Sequence, residues 1–255
     1  MLRHEYQTLF DLEESYWWFR SLRGVLVDTC RQLGLSASSR ILDAGCGTGK
    51  TAETLAEAVS PSIYGFDLSP LAAGFAHRRR FGGVCRASVN AIPFGDASFD
   101  AAICIDVFEC DGVDEQQAYR ELCRVVRPGG FLLILVPAFR WLMSPEHHRA
   151  VGASRRYTRS SLRALLAGAS TPMRLRRMTH LFMGTLPPIA AYRLWKRIKP
   201  DQRADPSPRS ELRTMPGWAN QLLFNAVAWE RHVPPSVELP VGSSILAVVQ
   251  KDPVA

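Results

Sequence analysis

The chain has 255 residues, 47% of them hydrophobic and 22% charged, which is enough apolar material for one large core or two small ones and excludes a disordered chain. Lys plus Arg number 31 against 24 Asp plus Glu, but residues 1–139 hold 13 basic and 17 acidic side chains while residues 140–255 hold 18 and 7. A uniformly basic nucleic-acid binder does not divide this way, so the basic half is expected to face a local anionic partner: a small substrate, a carrier or a membrane surface.

Only four of the 31 basic residues are Lys, which reflects either genomic base composition or a use for the bidentate guanidinium. The longest apolar run, 131–139, is far short of the roughly 20 residues of a spanning helix, and the N-terminus lacks the basic-then-apolar plan of a secretory signal. No transmembrane segment is expected. The six cysteines form no CxxC pair and read as reduced thiols, which points to the cytoplasm, and no metal is expected.

Ahead of the first strand, residues 6–33 read as two amphipathic helices carrying the aromatic run Tyr16-Trp17-Trp18-Phe19. From 40 to 137, strand-like runs at 40–43, 63–66, 84–87, 101–106 and 130–136 alternate with helical spacing over 51–59, 72–80 and 115–126. That alternation predicts a parallel sheet flanked by helices. Arg127-Pro128-Gly129-Gly130 stops the last of these helices. Residues 137–149 read as a loop, and Thr158 caps a crossover helix that runs to Ala169, with leucines at 162, 165 and 166. A weaker strand covers 173–180. The stretch 181–235 contains Pro187-Pro188, Pro200, Pro206, Pro208, Pro216 and Pro234-Pro235, with helical pieces at 190–198 and 218–231. At about 55 residues it is too long for an ordinary loop and reads as a helical cap before a last strand at 244–249.

The chemistry concentrates in Ile41-Leu42-Asp43-Ala44-Gly45-Cys46-Gly47-Thr48-Gly49. A strand runs into three glycines and then a helix, so backbone can approach a ligand closely and the helix start offers free N–H groups. Such a turn is either a nucleotide seat or a purely structural bend. Asp67, at the end of the next strand, favours the seat, because a carboxylate there can chelate two ribose hydroxyls.

The Asp ahead of G-x-G-x-G makes this stretch resemble the first motif of class I S-adenosylmethionine-dependent methyltransferases. Residues 91–100 (AIPFGDASFD) and 122–130 (LCRVVRPGG) resemble two further blocks of that family. Trp18-Phe19-Arg20, Arg155-Arg156-Tyr157 and residues 239–244 (LPVGSS) resemble type 11 and type 23 methyltransferase domains, so the likeness extends over nearly the whole chain. It implies an α/β, Rossmann-like three-layer sandwich with a mostly parallel seven-stranded sheet. As one domain, 1–255 would divide into an N-terminal helical lid (1–38), a cofactor-binding core (39–180), a helical cap insertion (181–236) and a final strand (237–255).

The resemblance makes S-adenosyl-L-methionine the expected cofactor. Gly45, Cys46, Gly47 and Gly49 would lie against its methionyl part, Asp43 would take its ammonium, Asp67 with Leu68 would meet the ribose, and Asp106 or Val107 would border the methionyl group. Ser88 stands where the family has an Asp for the adenine amino group, which leaves the Val89 N–H as a contact, and Glu109-Cys110 replaces a frequent Glu-His pair. The Tyr16-Trp17-Trp18-Phe19 cluster and Tyr6 are expected to close over the sulfonium, where aromatic faces stabilise positive charge, with Tyr16, Trp18 and Arg20 counted as cofactor contacts; simple helix packing is the other reading.

In the basic half, His147 and His148 are candidate general bases, or else solvent-facing loop residues. Arg155-Arg156-Tyr157 would clamp an anionic substrate group, with Arg156 and Tyr157 as catalytic candidates, or else form a solvated helix start. The resemblance predicts an Asp near 148 and a His near 153, where His148 and Ala153 stand. Methyl transfer to an O or N atom of a small anionic metabolite, in secondary metabolism, is the leading reading. Two alternatives stay open. One keeps the cofactor but cleaves another sulfonium bond, by ring closure as in azetidine-2-carboxylate synthases with methylthioadenosine release, or by aminocarboxypropyl transfer. The other is a cofactor-sensing scaffold.

Overall fold

The computed structural model describes residues 1–168, 173–198, 210 and 212–253; the expected helix end at Ala169 and Pro200, Pro206 and Pro208 lie outside the described residues. The chain runs α1 (Arg3–Leu12), α2 (Trp17–Gln32), β1 (Ile41–Ala44), α3 (Lys50–Ala58), β2 (Ile63–Asp67), α4 (Pro70–Ala76), β3 (Gly83–Arg86), β4 (Phe99–Ile105), α5 (Glu115–Val125) and β5 (Val126–Pro137). It continues through α6 (Pro145–Val151), α7 (Arg159–Ala167), β6 (Met173–Leu181), α8 (Leu186–Ile198), α9 (Gly217–Ala228) and β7 (Ser244–Lys251).

The sheet has the order β3-β2-β1-β4-β5-β7-β6, parallel except at β7, which runs antiparallel to both β5 and β6. Strand order reverses between β1 and β4, and in an open α/β sheet ligands bind at that switch point, beyond the carboxyl ends of the strands. Because successive strand residues point to opposite faces, Leu42, Ala102, Cys104, Leu132 and Ile134 pack under α5 and α7, while Ile41, Ala101, Ile103, Leu133 and Leu135 pack under α2 and α3. The near-continuous apolar runs of β4 and β5 thus serve both faces of the sheet, as a three-layer sandwich requires.

Helix starts follow local side-chain chemistry. Ser69 Oγ accepts from Ala72 N–H with Pro70 in the first turn of α4, Asp114 accepts from Gln117 N–H at α5, and Thr158 and Ser161 form a reciprocal capping box at α7. Arg124 ties two family-like blocks together: its guanidinium donates to the carbonyls of Ile92 and Phe94 and pairs with Asp96 and Glu121.

Two expectations are corrected. The stretch 137–149 is not a plain loop: after a short 3₁₀ turn at Arg140–Leu142, Ser144 caps the helix α6, with Pro145 in its first turn. Nor is all of 1–38 a cover over the site. Helix α2 belongs to the sandwich, with Leu22, Leu26 and Cys30 at 2%, 0% and 0% exposure, each buried Leu contributing about 1.5–3 kcal/mol. Only α1 lies across the glycine turn.

The cap inserted after β6 is stitched to the N-terminal helices. Asn220 Oδ1 accepts the Trp17 N–H at 2.7 Å and its Nδ2 donates to Ser15 O at 2.8 Å, which satisfies a helix start that has no side-chain cap of its own. Arg231 forms a two-point pair with Asp28 at 2.7 and 3.1 Å. The buried Glu230 carboxylate accepts from Phe182, Met183 and Gly184 N–H at 2.7, 2.8 and 3.4 Å and so holds the turn where β6 leaves the sheet.

Candidate active site

The glycine turn is shaped by backbone that only glycine adopts readily. Gly45, Gly47 and Gly49 have φ of +80°, +54° and +89°. A Cβ on Gly45 would come to 2.4 Å from Val107 Cγ2, so that close approach ties the turn to the end of β4. Asp67 fastens the turn from the side, its Oδ2 accepting from Gly47 N–H at 3.0 Å and its Oδ1 from Ser69 N–H at 2.8 Å. Each oxygen keeps a second lone pair for a hydroxyl donor.

Asp43 sits beneath the turn, 2% exposed, with Oδ2 lacking any hydrogen-bond partner. Burial, reinforced by the charges of Asp67 and Glu13, pushes its carboxyl up to about 7. Cys46 is buried against Gly65, Val89 is buried, and Ser88 Oγ accepts from Asn90 N–H. Leu68 is 63% exposed beside Asp67. Helix α1 crosses over this cradle: Leu9 approaches Gly47, the Tyr6 phenol lies against Ser69 and Asp67, Phe10 stacks on Phe75 at 4.9 Å, and Arg79 binds Glu13 at 2.6 Å.

Next to the cradle lies a cavity of about 690 Å³. Tyr16, Trp17, Trp18 and Phe19 form its aromatic wall, α6 contributes Glu146, His147 and His148, and the cap contributes Ile189, Tyr192, Arg193, Arg213 and Leu223. Asp106, Glu109 and Arg156 face it from the ends of the sheet. Asp106 has φ of +50°, with Oδ1 buried and unpartnered, and burial pushes its carboxyl up to about 7 against the pull of Arg156. Glu109 is 3% exposed with Oε2 unpartnered, and burial, reinforced by Asp106, raises its carboxyl well above the usual range. His148 Nδ1 stands 2.8 Å from the Ala153 carbonyl, which can only accept. Nδ1 therefore carries a proton, which leaves Nε2 as the ring nitrogen able to exchange one.

The structure brings together Tyr16, Trp18, His147, His148, Asp106 and Arg156 at this cavity, and Asp43, the three glycines and Asp67 at the cradle. Three expected site residues go elsewhere. Tyr157 is buried in the core and donates its hydroxyl to Glu115 at 2.5 Å. Arg155 borders the cavity, but its Nη1 is used by the carbonyls of Phe108 and Cys110. Arg20 lies over the Phe224 ring at 4.2 Å and joins α2 to the cap. The arginine Arg149, on α6, is exposed and does not line the cavity. Sequence reasoning missed the pairing of Asp106 with Glu109, two carboxyls three residues apart just past the apolar run Ala101–Ile105, which was the available signal.

Residues 42–134 match the family described as a methyltransferase domain. The demethylmenaquinone methyltransferase of Tropheryma whipplei is 35% identical over 109 residues, 41% of this chain and 44% of that protein. An O-methyltransferase of Aspergillus sclerotiorum is 37% identical over 111 residues, 40% of this chain and 41% of that one. The chain thus spans less than half the length of these curated relatives. Among solved structures, a possible histamine N-methyltransferase of Thermotoga maritima superposes with a TM-score of 0.57 at 17% identity, covering 98% of this chain and 96% of that one. The [4+2]-cyclase SpnF superposes with a TM-score of 0.57 at 20% identity, over 91% and 81%. At these identities the likeness is one of fold, and that fold also carries chemistry other than methyl transfer.

Proposed function

We propose that this chain, whose residues 42–134 match a methyltransferase domain, is a class I S-adenosylmethionine-dependent methyltransferase that transfers a methyl group to an O or N atom of a small acceptor held in the cavity between α1, α6 and the cap. S-adenosylmethionine, the cofactor of this domain, supplies an electrophilic methyl on a sulfonium. The residues present fit it: the glycine cradle admits close backbone approach, the orphaned Asp43 carboxylate oxygen suits an ammonium, and Asp67 suits a diol. At Ser88 a hydroxyl replaces the expected carboxylate, so the adenine end is held by fewer polar contacts.

The observation that carries the reading is the cavity itself. About 690 Å³ beside the cradle is room for a second molecule, which a reaction of the cofactor with itself does not need. Trp18 and Tyr16 exclude water and offer ring faces to positive charge. In-line displacement gains chiefly from alignment and desolvation. Asp106, with its carboxyl near neutrality, and His148 Nε2 are the proposed proton acceptors for the substrate hydroxyl or amine. Arg156 on the cavity wall supports an acceptor with an acidic group, since a guanidinium binds a carboxylate or phosphate at two points.

Incubation with S-adenosylmethionine, with and without candidate acceptors, tests this. S-adenosylhomocysteine formed only with acceptor is expected; methylthioadenosine formed without acceptor would overturn methyl transfer. Arg156→Gln is expected to raise the acceptor KM about tenfold while leaving cofactor affinity within about twofold, and the reverse order would reject the acidic-acceptor assignment.

A further inference from the structure

The cap exposes apolar surface that lies, apart from Tyr192, outside the cradle and the cavity lining. On α8, Tyr192, Leu194 and Trp195 are 45%, 60% and 55% exposed; on α9 and the turn after it, Trp218, Leu222 and Trp229 are 73%, 61% and 42% exposed. Residues 218, 222 and 229 fall on one helical face. Large side chains gathered in this way mark a contact surface, since isolated ones are the norm on a wetted face. The charge pattern is as informative: the sequence of α9 has no charged residue, and that of α8 has no acidic one while Arg193, Lys196 and Arg197 are interleaved with its aromatic and aliphatic positions. Both helices border the cavity, through Tyr192 and Leu223.

We infer that the cap docks on an anionic lipid membrane. Charge complementarity selects this occupant. Residues 181–236 hold 8 basic and 4 acidic residues, so a two-fold contact between copies would set the basic α8 against its own image, whereas acidic headgroups neutralise Arg and Lys and the interfacial depth suits Trp and Tyr. No described helix is long and apolar enough to cross a membrane, so the docking is peripheral. It brings the cap helices that border the cavity, α8 and α9, to the lipid surface, from which an acceptor with an apolar body would enter.

Vesicle co-sedimentation of the full chain, free of cofactor and acceptor, tests the docking independently of methyl transfer. The protein is expected to sediment with vesicles of phosphatidylcholine plus phosphatidylglycerol but not with phosphatidylcholine alone, with a blue shift of tryptophan emission and release at high salt. The double variants Leu194→Ser/Trp195→Ser and Trp218→Ser/Leu222→Ser, each with unchanged circular dichroism, are expected to lose about tenfold in binding. The proposal is overturned if neither vesicle type is bound, if both are bound equally, or if the protein instead forms a dimer in sedimentation velocity that the same substitutions dissociate.

Discussion

The glycine cradle draws its residues from one strand-turn-helix-strand unit, Asp43 to Asp67, whereas the cavity beside it is lined by Met1, Trp18, Glu109, His148, Arg156 and Leu223, which span most of the chain. The cradle is built mainly of backbone: positive φ at three glycines and two N–H groups held by one carboxylate. The cavity is built of side chains brought in by five helices, α1, α2, α6, α8 and α9, and by the loops after β4 and β5. Backbone geometry of the first kind is dictated locally and tolerates little change; a wall of the second kind depends on how α1, α6 and the cap dock, and can be re-lined without altering the sheet.

Titration of the two buried carboxyls compares the regions most directly. Asp43 under the cradle and Asp106 at the cavity are both pushed up to about 7 from an ordinary value of 3.8. Between those values the unfolded chain has released the proton that the folded chain keeps, so stability falls as pH rises from about 4 to about 7 and levels off above, by up to about 1.4 kcal/mol per pH unit for each group. Thermal unfolding of the cofactor-free protein should therefore occur at higher temperature at pH 5.5 than at pH 8. Asp43→Asn and Asp106→Asn should each flatten that slope, and a melting temperature that rises toward pH 8 would contradict the burial of both groups.

Asp67→Ala breaks the cradle alone. It removes the acceptor of two turn N–H groups along with the proposed ribose contact, so cofactor affinity measured by calorimetry should fall about 100-fold, or ~2.7 kcal/mol, with the sheet intact; unchanged affinity would refute the assignment. Asn220→Ala acts on the cavity side. Losing its two bonds to the start of α2 should cost about 1–2 kcal/mol in urea unfolding and raise the acceptor KM more than the cofactor Kd. The smallest effect is expected from Tyr157→Phe, about 1 kcal/mol of stability with kcat unchanged, because its hydroxyl serves Glu115 in the core; a large fall in kcat would restore it to the reaction.

Legibility in the sequence divides along the same line. The strands, the glycine turn and Asp67 were readable because each rests on contacts close in the chain: hydrophobic period, positive-φ glycines, a strand-end carboxylate. The Arg124 clamp shows the physical content of the blocks at 91–100 and 122–130, since one guanidinium joins them. Tyr157 and Arg155 misled, because a Tyr beside two Arg reads the same in sequence whether it faces a substrate or, as here, Glu115 and the carbonyls after β4. His147 and His148 were found but misplaced on a loop, because the signal for α6 is only Ser144-Pro145 at its start. The prolines of 181–235 signalled an insertion before the last strand, yet nothing local announced that Asn220 would cap a helix some two hundred residues earlier.

Helix α1 carries a consequence for the order of events in turnover. Leu9, Tyr6 and the Glu13–Arg79 pair cover the cradle from outside, so under the proposed function α1 would have to lift for the nucleoside product to leave. Exchange of spent for fresh cofactor, not bond-making, is then the step expected to set the pace, and since Glu14, the outer partner of Arg79, is 57% exposed, moderate salt should loosen the latch and quicken steady-state turnover while leaving a single-turnover burst unchanged.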